Sequence, residues 1–504
     1  MKSGPLNHII HKQTLDIQFS DFDTARTWIA ATQANTAEVV RRSIEHCFED
    51  YDYTNDYLTI ERLEFNLGTF GTDELLSKMP EKLYSELQNI LRSYHVEMNH
   101  FEDAEIIKDA ADKKQRMLIV KKSEIDAFLS FLQHGYLPWW YSDQPAWNLE
   151  WIQKLTGENW KDLRKLLNAY QENEVYYERV LSRLISQFND GFLANLLNGL
   201  ELKEPVEEAW NWLSLFYLTM QKSESDFRYA GRLPSLSVLR LHFWKKWVGY
   251  ALGKSAIPEL RSLFTPIKQT SSITASLLAI VQSDEGMDNI PAFWRNELIN
   301  FKRGEYDKLD SDVNVETVKH AERQKLEDAK KATPIAEDDF ILVPDAGLIL
   351  LHPFLPRLLE DCGWLRENEF VNDEARNCAV YLLHYLASGN EDAPEYVLML
   401  PKLLCGIALE WPLELAPRLT DAERAACDEL LVQVIGHWSA LRNTSPSTLR
   451  ETFLRRDGKL RSTDEGWRLE VQRKTEDILL NRMPWGFSMI KFSWMHRLLS
   501  VSWE

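Results

Sequence analysis

The chain has 504 residues, 44% of them apolar and 11% aromatic, enough for substantial cores in two to four domains and too hydrophobic for a disordered protein. Its 58 Lys and Arg against 77 Asp and Glu give a formal charge of −19, which repels nucleic-acid phosphates and anionic lipid headgroups and turns the search for partners toward proteins. The balance is uneven: from Pro446 onward there are eleven basic and eight acidic residues, a net of +3, against −22 for residues 1–445, so the terminal part suits an acidic partner.

In chain order, residues 7–19 alternate around Ile10, Leu15, Ile17 and Phe19, and residues 57–67 around Leu58, Ile60, Leu63, Phe65 and Leu67, which predicts two strands. Between them Trp28, Ile29, Val39, Val40, Ile44 and Cys47 recur at helical spacing, and a second helix is expected from Asp73 to about Val96. Residues 1–98 thus read as a small α+β N-terminal module, followed by a charged linker over 99–122 and a Trp-rich helical region over 123–301. There Ser123 offers an N-cap, Ile125, Phe128, Leu129 and Leu132 share one helical face, and Gly135 stops the helix. Leu137-Pro138-Trp139-Trp140 opens the next segment, and further helices are expected around Val180–Ile185 and Leu236–Leu241.

Residues 302–338 are dense in charge and poor in large apolar side chains, so they read as a linker or a solvated single helix. A helical C-terminal module over 339–504, helical to about Leu480 and closed by an aromatic tail, completes a predominantly α-helical multi-module chain with a small α+β N-terminal module.

Candidate chemistry is sparse. Gly253-Lys254-Ser255 ends like a phosphate-binding loop, but Val248 stands where that motif needs glycine, and the preceding pattern is helical rather than a strand. Cys378, His384, Cys405, Cys427 and His437 share one module without the spacing of a zinc site, and Cys47, Cys362 and the others form an odd set of thiols with no CxxC, expected to be reduced. His352, before Pro353 in an apolar stretch, is expected to be a hydrogen-bonded structural histidine. Trp139, Trp140, Trp147, Trp151 and Trp160 invite a stacking role toward sugars or bases, but core and interface positions account for most tryptophans. The chain reads as a non-enzyme with no catalytic residue, no cofactor and no metal. Its longest apolar runs fall short of the roughly 20 residues that span a bilayer, and with no apolar run near residue 1 no secretory signal is expected.

The most informative words lie near the end, in Trp467-Arg468-Leu469-Glu470 and Met483-Pro484-Trp485-Gly486-Phe487-Ser488-Met489-Ile490-Lys491-Phe492-Ser493-Trp494-Met495. Upstream stand Val343-Pro344-Asp345-Ala346-Gly347 with its apolar run into His352-Pro353-Phe354-Leu355-Pro356, then Leu382-Leu383-His384-Tyr385, Leu403-Leu404-Cys405-Gly406 and Gly436-His437-Trp438. At the other end are His8-Ile9-Ile10-His11 and Leu63-Glu64-Phe65-Asn66-Leu67-Gly68. In this order, and over both ends, the chain resembles the contractile injection system tape measure proteins of phage-tail-like particles. Ser493 replaces a usual proline and Asp345 a usual asparagine, which leaves the local turn geometry to be set by other means.

The resemblance implies a structural component that links the baseplate hub to the growing inner tube and limits tube length. The implied partners are the inner tube, the baseplate hub or spike and the tube-terminating proteins, with no nucleic acid and no stable membrane insertion, in the cytoplasm during assembly and then within the particle. The expected contacts are Trp485, Trp494, Met495 and Trp503 in the aromatic tail. An α-helical ruler rises about 1.5 Å per residue, so residues 302–337, if wholly helical, would span roughly 54 Å. Alternatives are a tube or baseplate nucleator or plug that measures nothing, a packaged effector enzyme, and a C-terminal membrane anchor built from Met489, Ile490, Phe492, Trp494, Leu498 and Leu499 with Lys491 and Arg497.

Overall fold

The structure, a computed structural model, describes residues 17–19, 21, 25–26, 40–44, 46–48, 66–71, 75–98, 106–107, 118–119, 124–141, 145–169, 174–222, 236–264, 290–295, 297, 340–414, 418–441 and 444–503. The strands expected over 7–19 and 57–67 lie almost wholly outside these residues, and so does the charged segment 302–338. Two compact units divide the chain: residues 1–127 with Trp139–Pro145, and Phe128–Pro138 with residues 146–504.

In the first unit helix α1 (Leu75–Met98) buries Met79, Leu83 and Leu87, which follow one another at four-residue steps and so share a face. Met79 and Leu83 close on Val40, with Ile17, Ile44, Leu67 and Phe70 packed around them. Inside the stretch expected as a charged linker, β1 (Ile106–Ile107) pairs antiparallel with β2 (Leu118–Ile119).

Helix α2 (Glu124–His134) ends where its sequence says it must, at Gly135, whose φ of +85° is left-handed. No helix includes Leu137–Trp140; the next, α3 (Leu149–Gln153), starts where the Asn148 side chain accepts the Trp151 N–H at 3.0 Å. It is followed in the second unit by α4 (Gly157–Ala169), α5 (Glu174–Gln187), α6 (Asp190–Gly199), α7 (Val206–Lys222) and α8 (Leu236–Ala251). Tryptophan fills this region: Trp210, Trp244, Trp247 and Trp294 are buried, and Trp147 and Trp151 pack on Phe128 with centroids 5.1 and 4.9 Å away. Asp190, at the start of α6, accepts the Trp244 indole N–H at 2.8 Å and the Arg240 Nε–H at 2.7 Å, tying α8 to α6.

From Phe340 the chain runs through β3 (Ile341–Val343) into a tight 3-10 segment, Ala346–Leu351, whose six residues are all buried. A Cβ at Gly347 would stand 1.7 Å from the Phe453 carbonyl oxygen, so only glycine permits this approach. Then come α9 (Leu355–Asp361), the small hairpin β4 (Leu365–Arg366) and β5 (Glu369–Phe370), α10 (Asp373–Ser388), α11 (Met399–Leu404) and α12 (Asp421–His437), the last opened by a reciprocal Thr420–Glu423 capping box.

The chain is predominantly helical, but the expectation of helix to about Leu480 fails at a five-stranded sheet ordered β3-β6-β7-β9-β8. Its strands are β6 (Gly458–Thr463), β7 (Gly466–Val471), β8 (Met489–Ile490) and β9 (Leu498–Trp503), besides β3; β7 and β9 run parallel and the other neighbours antiparallel. The physical reason is a period of two: Leu460, Leu469 and Val471 are buried while Lys459, Arg461, Arg468 and Glu470 point to the other face, and Asp464-Glu465 supplies the two-residue turn. The stretch weighed as a membrane anchor is instead β8, β9 and core, with Ile490, Trp494 and Leu499 buried, and no helix among the described residues is long and apolar enough to cross a membrane.

Candidate docking module

The tail residues expected as contacts converge on one core. Trp494 is 7% exposed and Met495 3%, and Trp485 and Trp503 are half-buried against the same cluster. Each indole N–H is satisfied within the chain: Trp485 donates to the Leu350 carbonyl at 2.9 Å, Trp494 to the Leu404 carbonyl at 2.8 Å, and Trp503 to Asp477 Oδ2 at 2.8 Å. Trp494 also stacks on Phe492 at 4.8 Å and meets Phe370 edge-on at 5.5 Å. Burial therefore gives Trp494 and Met495 a packing task, and to touch a partner they would have to leave the core. Ser493, at the position where proline is usual, donates to the Asn368 carbonyl at 2.7 Å, so a hydrogen bond holds the turn in place of a ring.

Two buried ionic clusters, neither suggested by the sequence, fix this module. In the first, Arg183 from α5, Glu395 and Lys402 from α11 are each 0% exposed. Arg183 Nε and Nη2 reach the two Glu395 carboxylate oxygens at 3.0 and 3.3 Å, Nη2 also reaches the Glu410 carbonyl at 2.6 Å, and Nη1 reaches the Leu132 and Gln133 carbonyls at 2.6 and 3.2 Å. Lys402 Nζ donates to Glu395 Oε1 at 2.8 Å and to the Leu409 and Trp411 carbonyls at 2.6 and 2.7 Å. All five guanidinium protons and all three ammonium protons are used. Gly135 lines the same cradle: a Cβ there would lie 2.8 Å from Arg183 Nη2 and 2.9 Å from Glu395 Oε1. Burial lowers the Lys402 pKa, and the adjoining Glu395 carboxylate opposes that shift.

The second cluster ties down the last strand. Arg456, fully buried, donates through Nη2 to Asp477 Oδ1 at 2.7 Å and through Nε to the Thr452 carbonyl at 2.6 Å. Asp477 Oδ2 takes the Lys474 backbone N–H at 2.6 Å as well as the Trp503 indole. Arg456 Nη1 is buried without a hydrogen-bond partner.

One arrangement resembles a nucleophilic triad. His384 Nδ1 lies 2.9 Å from Asp345 Oδ2, and His384 Nε2 lies 3.2 Å from Ser388 Oγ. The Asp345–His384 approach lacks hydrogen-bond alignment despite its distance, and Ser388, one turn along α10 from His384, donates at 2.8 Å to the His384 carbonyl and accepts the Asn390 N–H at 2.9 Å. A hydroxyl so engaged closes the end of a helix rather than attacking a substrate. His352 is the expected structural histidine, its Nδ1 donating to the Ile349 carbonyl at 3.0 Å. The five cysteines form no disulfide; burial pushes the Cys362 thiol up to about 11 and the Cys405 and Cys427 thiols further, so these three behave as small apolar side chains. Gly253-Lys254-Ser255 forms the turn after α8, where Lys254 Nζ sits 3.4 Å over the Tyr177 ring.

The satisfied indoles, the engaged hydroxyl and the ion clusters locked by carbonyls together hold a rigid shape. No curated protein and no solved structure matches the chain. The family described as contractile injection system tape measure protein matches residues 7–503.

Proposed function

The chain belongs to the contractile injection system tape measure family, and from that premise we propose that it links the baseplate hub to the inner tube and limits the length to which the tube grows. The observation that carries this reading is the extent of the match, 7–503, which takes in both ends and the segment between them. The role is structural: the protein assembles in the cytoplasm with tube, hub or spike and tube-terminating proteins, then stays within the particle. Docking falls to the terminal modules. In the tail, Trp485 and Trp503 are half-buried and retain a face for a partner, while Trp494 and Met495 set the tail's shape from the core.

The nucleator or plug reading has its own support. The longest described helix, α1, has 24 residues and spans roughly 36 Å, and the Arg183–Glu395 pair holds residues 212 positions apart in one compact unit. Such a body has a fixed size. A series of helix-forming insertions after Lys319, in steps of roughly 28 residues, separates the two: a ruler lengthens the tube by roughly 42 Å per step, rounded to whole rings, and the slope across the series is the readout. Particles of constant length would leave the nucleator.

A further inference from the structure

We propose that the outward face of the C-terminal sheet is a docking surface for an acidic protein segment, whose carboxylates bridge Arg461 and Arg468. This deepens the assembly reading above by naming the chemistry of one partner surface.

The face follows from register. In a sheet, alternate residues share a side and cross-strand partners share it too. Arg461 on β6 stands opposite Arg468 on β7, Arg468 is in register with Ser500 on β9, and Ser500 with Met489 on β8. The neighbouring row runs Leu342, Lys459, Glu470, Ser502. One surface thus carries three cations, a single carboxylate, two hydroxyls and, at its edge, Met489, which is 70% exposed.

An ordinary solvated sheet face is polar too, but it pairs opposite charges across strands. Here two guanidiniums face each other directly, an arrangement that costs stability. The single anion relieves it only in part: Glu470 Oε2 pairs with Arg461 Nε at 3.6 Å without a hydrogen bond, and Lys459 Nζ and the Arg461 guanidinium lie over the Phe340 ring at 5.0 and 5.2 Å, while Arg468 and Lys459 are exposed and in no ion pair among the described residues. Beside them Ser502 Oγ is buried without a partner. Both cations of the row lack the bidentate carboxylate that guanidinium geometry favours, and an incoming Asp or Glu side chain would supply it. Among anions the choice falls on protein because the chain's net charge of −19 repels a polyphosphate at long range, whereas a short acidic segment of a folded partner carries little charge of its own and can cover Met489 with an apolar neighbour.

The test uses the purified full-length chain and a fluorescent peptide of alternating Glu and Ser, read by anisotropy, with a thymidine oligonucleotide and phosphatidylserine vesicles as comparators. Saturable peptide binding is expected, weakened roughly tenfold or more in Lys459→Glu/Arg468→Glu and left unchanged in Arg366→Glu, an exposed arginine on the small β4–β5 hairpin. Arg468→Ser, which only removes a charge, is expected to lose binding while raising the melting temperature, since the like-charge pair is a cost of the free protein. Absence of saturable binding, equal weakening by Arg366→Glu, tighter binding of the oligonucleotide or the vesicles through the same residues, or a lowered melting temperature in Arg468→Ser would each overturn the proposal. Because no particle is needed, these outcomes are independent of the insertion series.

Discussion

The two buried ionic clusters solve the same problem to different degrees. Around Arg183, Glu395 and Lys402 every donor finds an acceptor, four of them backbone carbonyls at 2.6–2.7 Å, although two cations share one carboxylate. Around Arg456 and Asp477 the charges balance one to one, yet Arg456 Nη1 is left over. Formal neutrality is therefore not required for burial in the first cluster, where a full set of acceptors offsets desolvation, whereas in the second the unmet Arg456 donor keeps its desolvation cost. The first cluster joins segments far apart in the chain and acts on how they fit together, while the second fastens a single strand, β9, to Thr475–Arg482 through Trp503.

The sharpest way to break this comparison is Glu395→Ala. It strands Arg183 and Lys402 together in a dry site, and the expected loss is about 3–5 kcal/mol, a large part of a typical folding free energy, read by denaturant unfolding. Replacing all three charged residues with Met or Leu of similar volume should recover most of that loss, since the burial cost disappears with the charges. A triple variant as unstable as the single one would show that the cluster stabilises by more than mutual compensation.

In the second cluster, Asp477→Ala should cost less, about 2–3 kcal/mol, because Arg456 keeps its Thr452 bond and already tolerates one unmet donor. Trp503→Phe retains the ring beside Phe487, 5.6 Å away, and loses only the indole donor, for about 1 kcal/mol. The order Glu395, Asp477, Trp503 is the readout; Asp477→Ala costing as much as Glu395→Ala would erase the distinction between the clusters.

Much of the helical architecture was legible because its signals are local. The stop at Gly135 and the one-face repeat of Ile125, Phe128 and Leu132 each sit within a few residues of what they control. The β6–β7 hairpin had its signal as well, in the alternation of Leu460 and Leu469 with Lys459, Arg461 and Arg468, but the surrounding helical pattern masked two strands of six residues. What no local pattern carries is the parallel pairing of β9 with β7 and the meeting of Arg183 with Glu395, since both depend on how distant segments close. The aromatic tail was visible as a feature, yet sequence does not tell how deeply each tryptophan packs: the fold buries Trp494 and leaves Trp485 half-buried.

The smallest expected effect concerns neutral histidines rather than ions. Burial lowers the pKa of His352 and of His242, overcoming in each the hydrogen bond to a backbone carbonyl, from Ile349 and Ser262 respectively. The unfolded chain takes up protons on these rings near pH 6.5 while the folded chain still resists, so in that window the unfolded state binds more protons and stability rises with pH. Acidification from about pH 7.5 to about pH 5.5 should therefore lower the denaturation midpoint, with the loss levelling off once the folded pKa values are passed. His352→Asn keeps a side-chain donor near the Ile349 carbonyl but cannot titrate, so its midpoint should fall less steeply over the same interval, whatever its absolute stability. Equal slopes for the two proteins would mean that the His352 ring reaches water when charged, and that the buried carbonyl contact does not hold it neutral.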